Sequence, residues 1–272
     1  MTPRFPWTRL LTALALLAAM LLLLWRGSAV GVLGVFAAVA LRAGWEWAAL
    51  CPGLDGAWRG GLLVALAAAL AAGYALPASW TAPVLLAGLA WWAVALWLVR
   101  RYPALPHWLG RPLPQAGVIV LALATAWLAL ARLTDAHRGL LLLCLALVWA
   151  ADSAAFLVGR RYGRRKLSPQ VSPGKTVEGL CGGLAAAALT GLIAGLLWRL
   201  DGPRLAALVA LTTLCATVSV VGDLTESLFK RRAGVKDSSH LLPGHGGVLD
   251  RIDALIAAAP LFALTVPPLV GG

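Results

Sequence analysis

Seven of the eleven acidic residues in this 272-residue chain fall in two stretches, and all four of its lysines lie beside them. The first stretch carries Asp152-Ser153, the basic run from Arg160 to Lys166, and Ser172-Pro-Gly-Lys175-Thr-Val-Glu178. The second carries Asp223, Glu226, Ser227 and Lys230-Arg231-Arg232, then Lys236-Asp237, His245-Gly246-Gly247, Asp250-Arg251 and Asp253. Carboxylates without a His-Cys ligand set suit a hard cation. Mg²⁺ takes oxygen ligands, often one or two carboxylates plus substrate phosphates. Zinc is disfavoured, because His107, His137, His240 and His245 show no ligand spacing with each other or with cysteine. Lysines and arginines around such a metal suit a polyphosphate whose charge must be neutralised during transfer. Glycines such as Gly246 and Gly247 let backbone N–H groups approach a phosphate closely. Ser172–Thr176 offers the same chemistry or simply a turn before a helix. Gly174-Lys175-Thr176 imitates the end of a P-loop, but Pro169 stands where the first glycine belongs. His245 suits phosphate binding or proton transfer, against a bland role in closing a turn; His240 reads as a loop residue.

The elements that must position these groups follow from composition. The chain is 61% hydrophobic and 12% charged, against about 45–50% and 25% for soluble domains. Disorder is excluded by the apolar content, and a disulfide scaffold by four scattered cysteines (Cys51, Cys144, Cys181, Cys215). The expected fold is an all-α polytopic membrane protein. A span needs about 20 apolar residues, which gives nine candidates: 9–25, 28–44, 58–76, 80–99, 115–133, 138–158, 177–198, 204–222 and 251–270. Such runs leave no strand alternation for a β-barrel, and their Ala, Gly and Leu content suits close helix packing. The first run resembles a signal peptide but reads more simply as an anchor.

Nine spans put only Arg26, Arg132, Arg138, Arg199 and Arg204 on one side, and the remaining 18 of 23 basic residues on the other. The positive-inside rule makes that basic side cytoplasmic. Topology and attraction to anionic headgroups explain much of the net charge of +12, so no nucleic-acid partner is expected. Ionisable groups at membrane depth usually face a polar cavity. If the eighth helix continues past its apolar part, Asp223 and Ser227 lie one turn apart, and Ser227 meets Lys230 and Arg231 at the next. Asp250 and Asp253 share a face at the start of the ninth helix, where the helix dipole alone also favours carboxylates. Trp45-Glu46-Trp47 reads as an interfacial aromatic belt, with Glu46 unexplained.

The segment Ser227-x-Phe-Lys-Arg-x₄-Lys236-Asp237-x-Ser239-x₂-Leu242-Pro243-x-His245-Gly-Gly-Val248-x-Asp250-Arg251-Ile252-Asp253 resembles the signature of the phosphatidate cytidylyltransferase (CDP-diacylglycerol synthase) family. Every fixed position is filled. Asp152-Ser153, Gly159-Arg-Arg-Tyr-Gly163 and Ser172-Pro-Gly-Lys-Thr-Val-Glu-Gly179 also look like the bacterial members. The resemblance covers residues 145–260 by motif, and residues 1–130 only as hydrophobic spans. It implies conversion of phosphatidic acid and CTP into CDP-diacylglycerol and pyrophosphate. It further implies a Mg²⁺ requirement, with a monovalent cation such as K⁺ as a candidate beside it, and a homodimer with a polar cavity open to the cytoplasm of a bacterial inner membrane.

On this reading Asp223 and Asp250 bind metal, with Asp152 and Asp253 in support. Lys175, Lys230, Arg231, Lys236 and Arg251 hold phosphates, Ser227 and His245 orient them, and Asp237, Gly246 and Gly247 complete the substrate site. Residues 1–135 would be scaffold and dimer contacts, and residues 136–272 the catalytic region. The nearest rival is a CTP-dependent polyprenol or phytol kinase, which releases CDP. A transporter would place charges along a substrate path, whereas these crowd one end and no inverted repeat is visible. A purely structural subunit would not need the acidic cluster.

Overall fold

The structure is a computed structural model that describes residues 18–241 and 246–270. Residues 18–26 are helical, and eight helices follow: α1 (Ala29–Ala49), α2 (Gly56–Tyr74), α3 (Ala78–Arg101), α4 (Pro112–Ala136), α5 (Arg138–Tyr162), α6 (Val177–Leu197), α7 (Gly202–Arg232) and α8 (Leu249–Val270). All eight are long and apolar enough to cross a bilayer. They correspond to the second through ninth spans expected from sequence; most of the first, 9–25, lies outside the described residues. The all-α polytopic membrane fold stands.

Two helices run further than their apolar residues do. Helix α1 continues to Ala49 rather than 44, and α7 continues to Arg232 rather than 222. At 1.5 Å per residue the 31 residues of α7 span roughly 46 Å, against a hydrocarbon core of about 30 Å. The extra turns hold Glu46, Asp223, Glu226 and Lys230, all with polar partners in the fold. Partnered groups do not end a helix, so the polar residues were poor boundary markers.

Between α5 and α6 the chain forms a small antiparallel hairpin, β1 (Lys166–Ser168) and β2 (Ser172–Thr176), with Lys166 opposite Thr176 and Ser168 opposite Ser172. The sequence reading had only a turn there. Thr176 then caps α6, its Oγ1 accepting from Gly179 N at 3.1 Å, which satisfies one orphan donor of the first turn. Helix α6 buries Gly179, Gly183, Ala187, Gly191 and Gly195, one small residue every fourth position. That spacing places all five on one stripe and lets backbones approach: Gly183 faces Ala151 and Ala155 of α5, and Gly191 faces Thr212 of α7.

Helix α4 is the most buried span and packs against α1, α2, α3 and α8. The connections after α1, α3, α5 and α7 meet at one end of the bundle. Gln115 donates to Pro52 O at 3.2 Å, Arg232 to Leu109 O at 3.2 Å, and Arg231 Nε to Val171 O at 3.1 Å. At the other end Arg132 donates to Leu76 O at 2.6 Å and Arg138 to Leu24 O at 2.7 Å. The loops that hold most of the basic residues are therefore on one side, as an alternating topology requires.

Candidate active site

At the loop-rich end, two polar clusters lie side by side on α5, α7, α8 and the hairpin. The first is open. Strand β2 presents Lys175, whose Nζ pairs with Asp223 Oδ2 on α7; about a quarter to a third of each side chain is accessible. Arg231 Nε holds the carbonyl of Val171 at the hairpin turn, so the C-terminal turns of α7 fix the strand that carries Lys175. Ser227 is one turn beyond Asp223 and donates to its Oδ1 at 3.4 Å. Asp152 of α5 is exposed although it lies well inside a span, and Asp253 of α8 is half-buried. Asp223 and Lys175 are within electrostatic range of both, and Arg251 is within range of Asp152. Exposed charge at this depth must face a polar cavity rather than lipid.

The second cluster is closed. Lys230 Nζ lies 2.6 Å from Glu226 Oε2 and 2.7 Å from Asp250 Oδ1. Asp250 Oδ2 accepts from Ser238 N at 2.9 Å, Ser238 Oγ at 2.8 Å and Gly247 N at 2.7 Å. Behind these stands Glu46 of α1, which is 1% exposed. Its Oε1 meets Arg42 at 3.1 Å and the Ser239 hydroxyl at 2.7 Å. Its Oε2 accepts from Leu249 N at 2.7 Å and lies 3.2 Å from Ser238 Oγ. Gly247 has no room for a side chain, because a Cβ would run into Ser238 Oγ and the Glu46 carboxylate.

The sequence-predicted residues divide accordingly. Asp152, Lys175, Asp223, Ser227 and Asp253 converge at the open cluster. Lys230 and Asp250 pair with each other, so Lys230 turns to Glu226 and Asp250 rather than to Ser227. The Gly247 N–H, expected to face a phosphate, donates to Asp250. Lys236, Asp237 and Arg251 are exposed at the mouth, with Gly246 partly buried beside them. His245 lies outside the described residues. Sequence reasoning missed Glu46 and gave Glu226 no role. The neighbouring Trp47 is not part of an interfacial belt. It is 2% exposed and packs edge-on against Phe229, with ring centroids 5.4 Å apart; only Trp45, with Arg59 over its ring at 4.7 Å, fits that reading. The available signal was an acidic residue in an apolar span with Arg42 one turn earlier.

Among the described residues no three His, Cys, Asp or Glu side chains form a ready-made metal cage. The donor chemistry still fits Mg²⁺, which keeps waters and substrate phosphates among its ligands and takes only one or two carboxylates from protein. Asp223 is a partly accessible carboxylate beside the exposed Asp152, and Asp250 Oδ1 faces Lys230 at 2.7 Å with Glu226 also within hydrogen-bonding reach of the Asp250 side chain.

An anion-binding lysine on a strand, carboxylates from three helices and a basic rim at one end of a membrane bundle are the parts a phosphoryl-group enzyme needs. Comparison with known proteins gives these parts a family. Residues 7–267 match the model of the cytidylyltransferase family. The chain is similar to a phosphatidate cytidylyltransferase of Pseudomonas aeruginosa, 45% identical over 260 residues and 94% of each chain. It is also similar to proteins of that name from Haemophilus influenzae, 44% identical over 196 residues (66% of this chain, 67% of the relative), and Synechocystis, 47% over 121 residues (44% and 40%). With the match running through every described helix and both polar clusters, this chain belongs to the cytidylyltransferase family.

Proposed function

We propose that the protein transfers the cytidylyl group of CTP to phosphatidic acid, giving CDP-diacylglycerol and pyrophosphate. It would act as a homodimer in a bacterial inner membrane, with the loop-rich end in the cytoplasm. The observation that carries this reading is the accessible Lys175–Asp223 pair, set among Asp152, Asp253 and Arg251 where the basic loops meet. The 45% identity to the Pseudomonas phosphatidate cytidylyltransferase supports the choice of substrates.

Phosphatidic acid would keep its acyl chains in the bilayer and present its phosphate to this cluster, while CTP would enter from the cytoplasm. An oxygen of the lipid phosphate attacks the α-phosphorus of CTP in line. The bond from that phosphorus to the α–β bridging oxygen breaks, and pyrophosphate leaves with the electron pair. The nucleophile needs no strong base, because a phosphomonoester loses its second proton at about pH 6. The difficulty is bringing two anions together and stabilising the leaving group. Lys175, Lys236 and Arg251 would neutralise phosphate oxygens. Arg231 keeps the hairpin in place, Ser227 orients Asp223, and Lys230 sets the position of Asp250. Asp223, with Asp250, would hold Mg²⁺, and K⁺ is a candidate second cation. The divalent ion would supply charge neutralisation at the phosphates. His245 and Asp237 would complete the mouth of the site.

The test is purified protein in phosphatidic acid vesicles with CTP and Mg²⁺. Pyrophosphate and CDP-diacylglycerol should form in equal amounts and only when the lipid is present. Release of CDP with a phosphorylated lipid alcohol would instead favour a CTP-dependent polyprenol or phytol kinase. Unchanged rates with ATP or GTP would contradict selection of cytosine.

A further inference from the structure

Glu46 belongs to a helix about 180 residues before the family signature, yet three donors and one shared hydroxyl, from three places, converge on its carboxylate. Arg42 comes from its own helix, Ser238 and Ser239 from the α7–α8 loop, and the Leu249 N–H from the first turn of α8. With the shared Ser238 hydroxyl counted, each acceptor position of the carboxylate faces a polar group. A buried charge is costly unless it is paired and hydrogen-bonded, so a side chain this enclosed holds its donors in one arrangement. The Ser238 hydroxyl lies between two carboxylates, 2.8 Å from Asp250 Oδ2 and 3.2 Å from Glu46 Oε2, with one proton to donate. The Ser238 N–H also points at Asp250 Oδ2. Whatever fixes Ser238 and the start of α8 therefore fixes Asp250. Gly247 gives an independent sign of the same construction, since the Glu46 carboxylate occupies the space its side chain would need.

We infer that Glu46 is a positioning residue for the transfer reaction, acting through Ser238 and the Leu249 N–H to hold Asp250 against Lys230. The inference rests on the function proposed above for its catalytic consequence, and on geometry alone for the anchoring. Glu46→Gln keeps the shape but turns an amide NH₂ toward groups that are themselves donors. Turnover should fall about 10–100-fold, as for loss of an outer-shell partner, with KM values for CTP and phosphatidic acid close to wild type. Ser238→Ala should give a similar loss. The double variant should be no slower than the slower single one, because both changes cut the same chain of contacts.

Hydrogen exchange supplies a readout that does not need the reaction. In detergent-purified Glu46→Gln, amides in 236–241 and 246–250 should exchange faster, while those of α5 and α6 stay unchanged. Should Glu46→Gln fail to insert, Ser239→Ala removes one of the donors and should show the same pattern to a smaller degree. Wild-type exchange in the loop, a wild-type kcat in a folded variant, or multiplying losses in the double variant would each overturn the inference. Failure of the function itself is seen separately, as absence of CDP-diacylglycerol with wild-type protein, and the exchange result still decides the anchoring.

Discussion

The open Lys175–Asp223 pair and the closed Glu46–Ser238–Asp250–Lys230 network share helix α7 and both pair lysine with carboxylate, but they are built for different work. Lys175 and Asp223 have 25% and 30% of their side chains accessible. Each therefore keeps its exchange with water, and an incoming phosphate or cation can replace one partner at little cost. In the closed network Asp250 is 5% accessible and Lys230 14%, and every Asp250 oxygen has a protein donor. Burial strengthens these contacts and raises the penalty for breaking them. The open cluster is arranged to trade partners, whereas the closed one holds Asp250 Oδ2 fixed and leaves Oδ1, which faces Lys230, as the side a cation would share. Charge alone did not distinguish the two; accessibility and donor count did.

This contrast can be broken by separating activity from stability. Asp223→Asn should lower kcat about 10²–10³-fold, the usual loss for an electrostatic group at a reacting centre. Its thermal unfolding in detergent should match wild type, and wild-type turnover in this variant would remove Asp223 from the chemistry. Lys175→Met should cost about 10² in kcat/KM, again with unfolding unchanged; a shifted unfolding curve would mean that the pair is structural after all. Asp250→Ala should lose activity and about 3 kcal/mol of stability together. That is the lower end for breaking a buried pair, because Glu226 still holds Lys230. Equilibrium denaturation checks it, and an active, stable variant would show that the closed network is dispensable.

Gly247→Ala sharpens the boundary between the clusters. The added methyl meets Ser238 and Glu46, so a loss of about 1–3 kcal/mol is expected, together with a fall in turnover like that of Ser238→Ala and an unchanged Lys175–Asp223 pair. Lys236→Ala should have the smallest effect, below about 1 kcal/mol in substrate binding. It is an exposed charge, and exposed ion pairs contribute that little. The change should be visible as a rise in KM that fades in high salt.

Much of this architecture was legible in the residues. Long apolar runs fixed the number and order of the described spans, and the acidic clusters pointed to Asp152, Asp223 and Asp253, which do converge with Lys175. What was hidden has a common physical cause. Glu46 is separated from Ser238 by 192 positions, and no local pattern records a partner that distant. Helix ends were misjudged at Arg42–Glu46 and Asp223–Lys230 because a charged residue reads as an exit from the membrane, whereas partners inside the bundle let the helix continue. The β1–β2 hairpin was invisible because three and five residues carry too little alternation to declare a strand. The same blindness made Asp250 look equivalent to Asp223, when one faces a cavity and the other is enclosed by Ser238, Gly247 and Lys230.

The most direct test follows the label of CTP marked at the α-phosphate or, in a parallel reaction, at the γ-phosphate, using wild-type protein and Asp223→Asn in phosphatidic acid vesicles. The α-label should enter the lipid and the γ-label should leave in pyrophosphate, both at rates that collapse in the variant. Transfer of the γ-label to lipid, or equal rates in the two proteins, would contradict cytidylyl transfer at the Lys175–Asp223 pair.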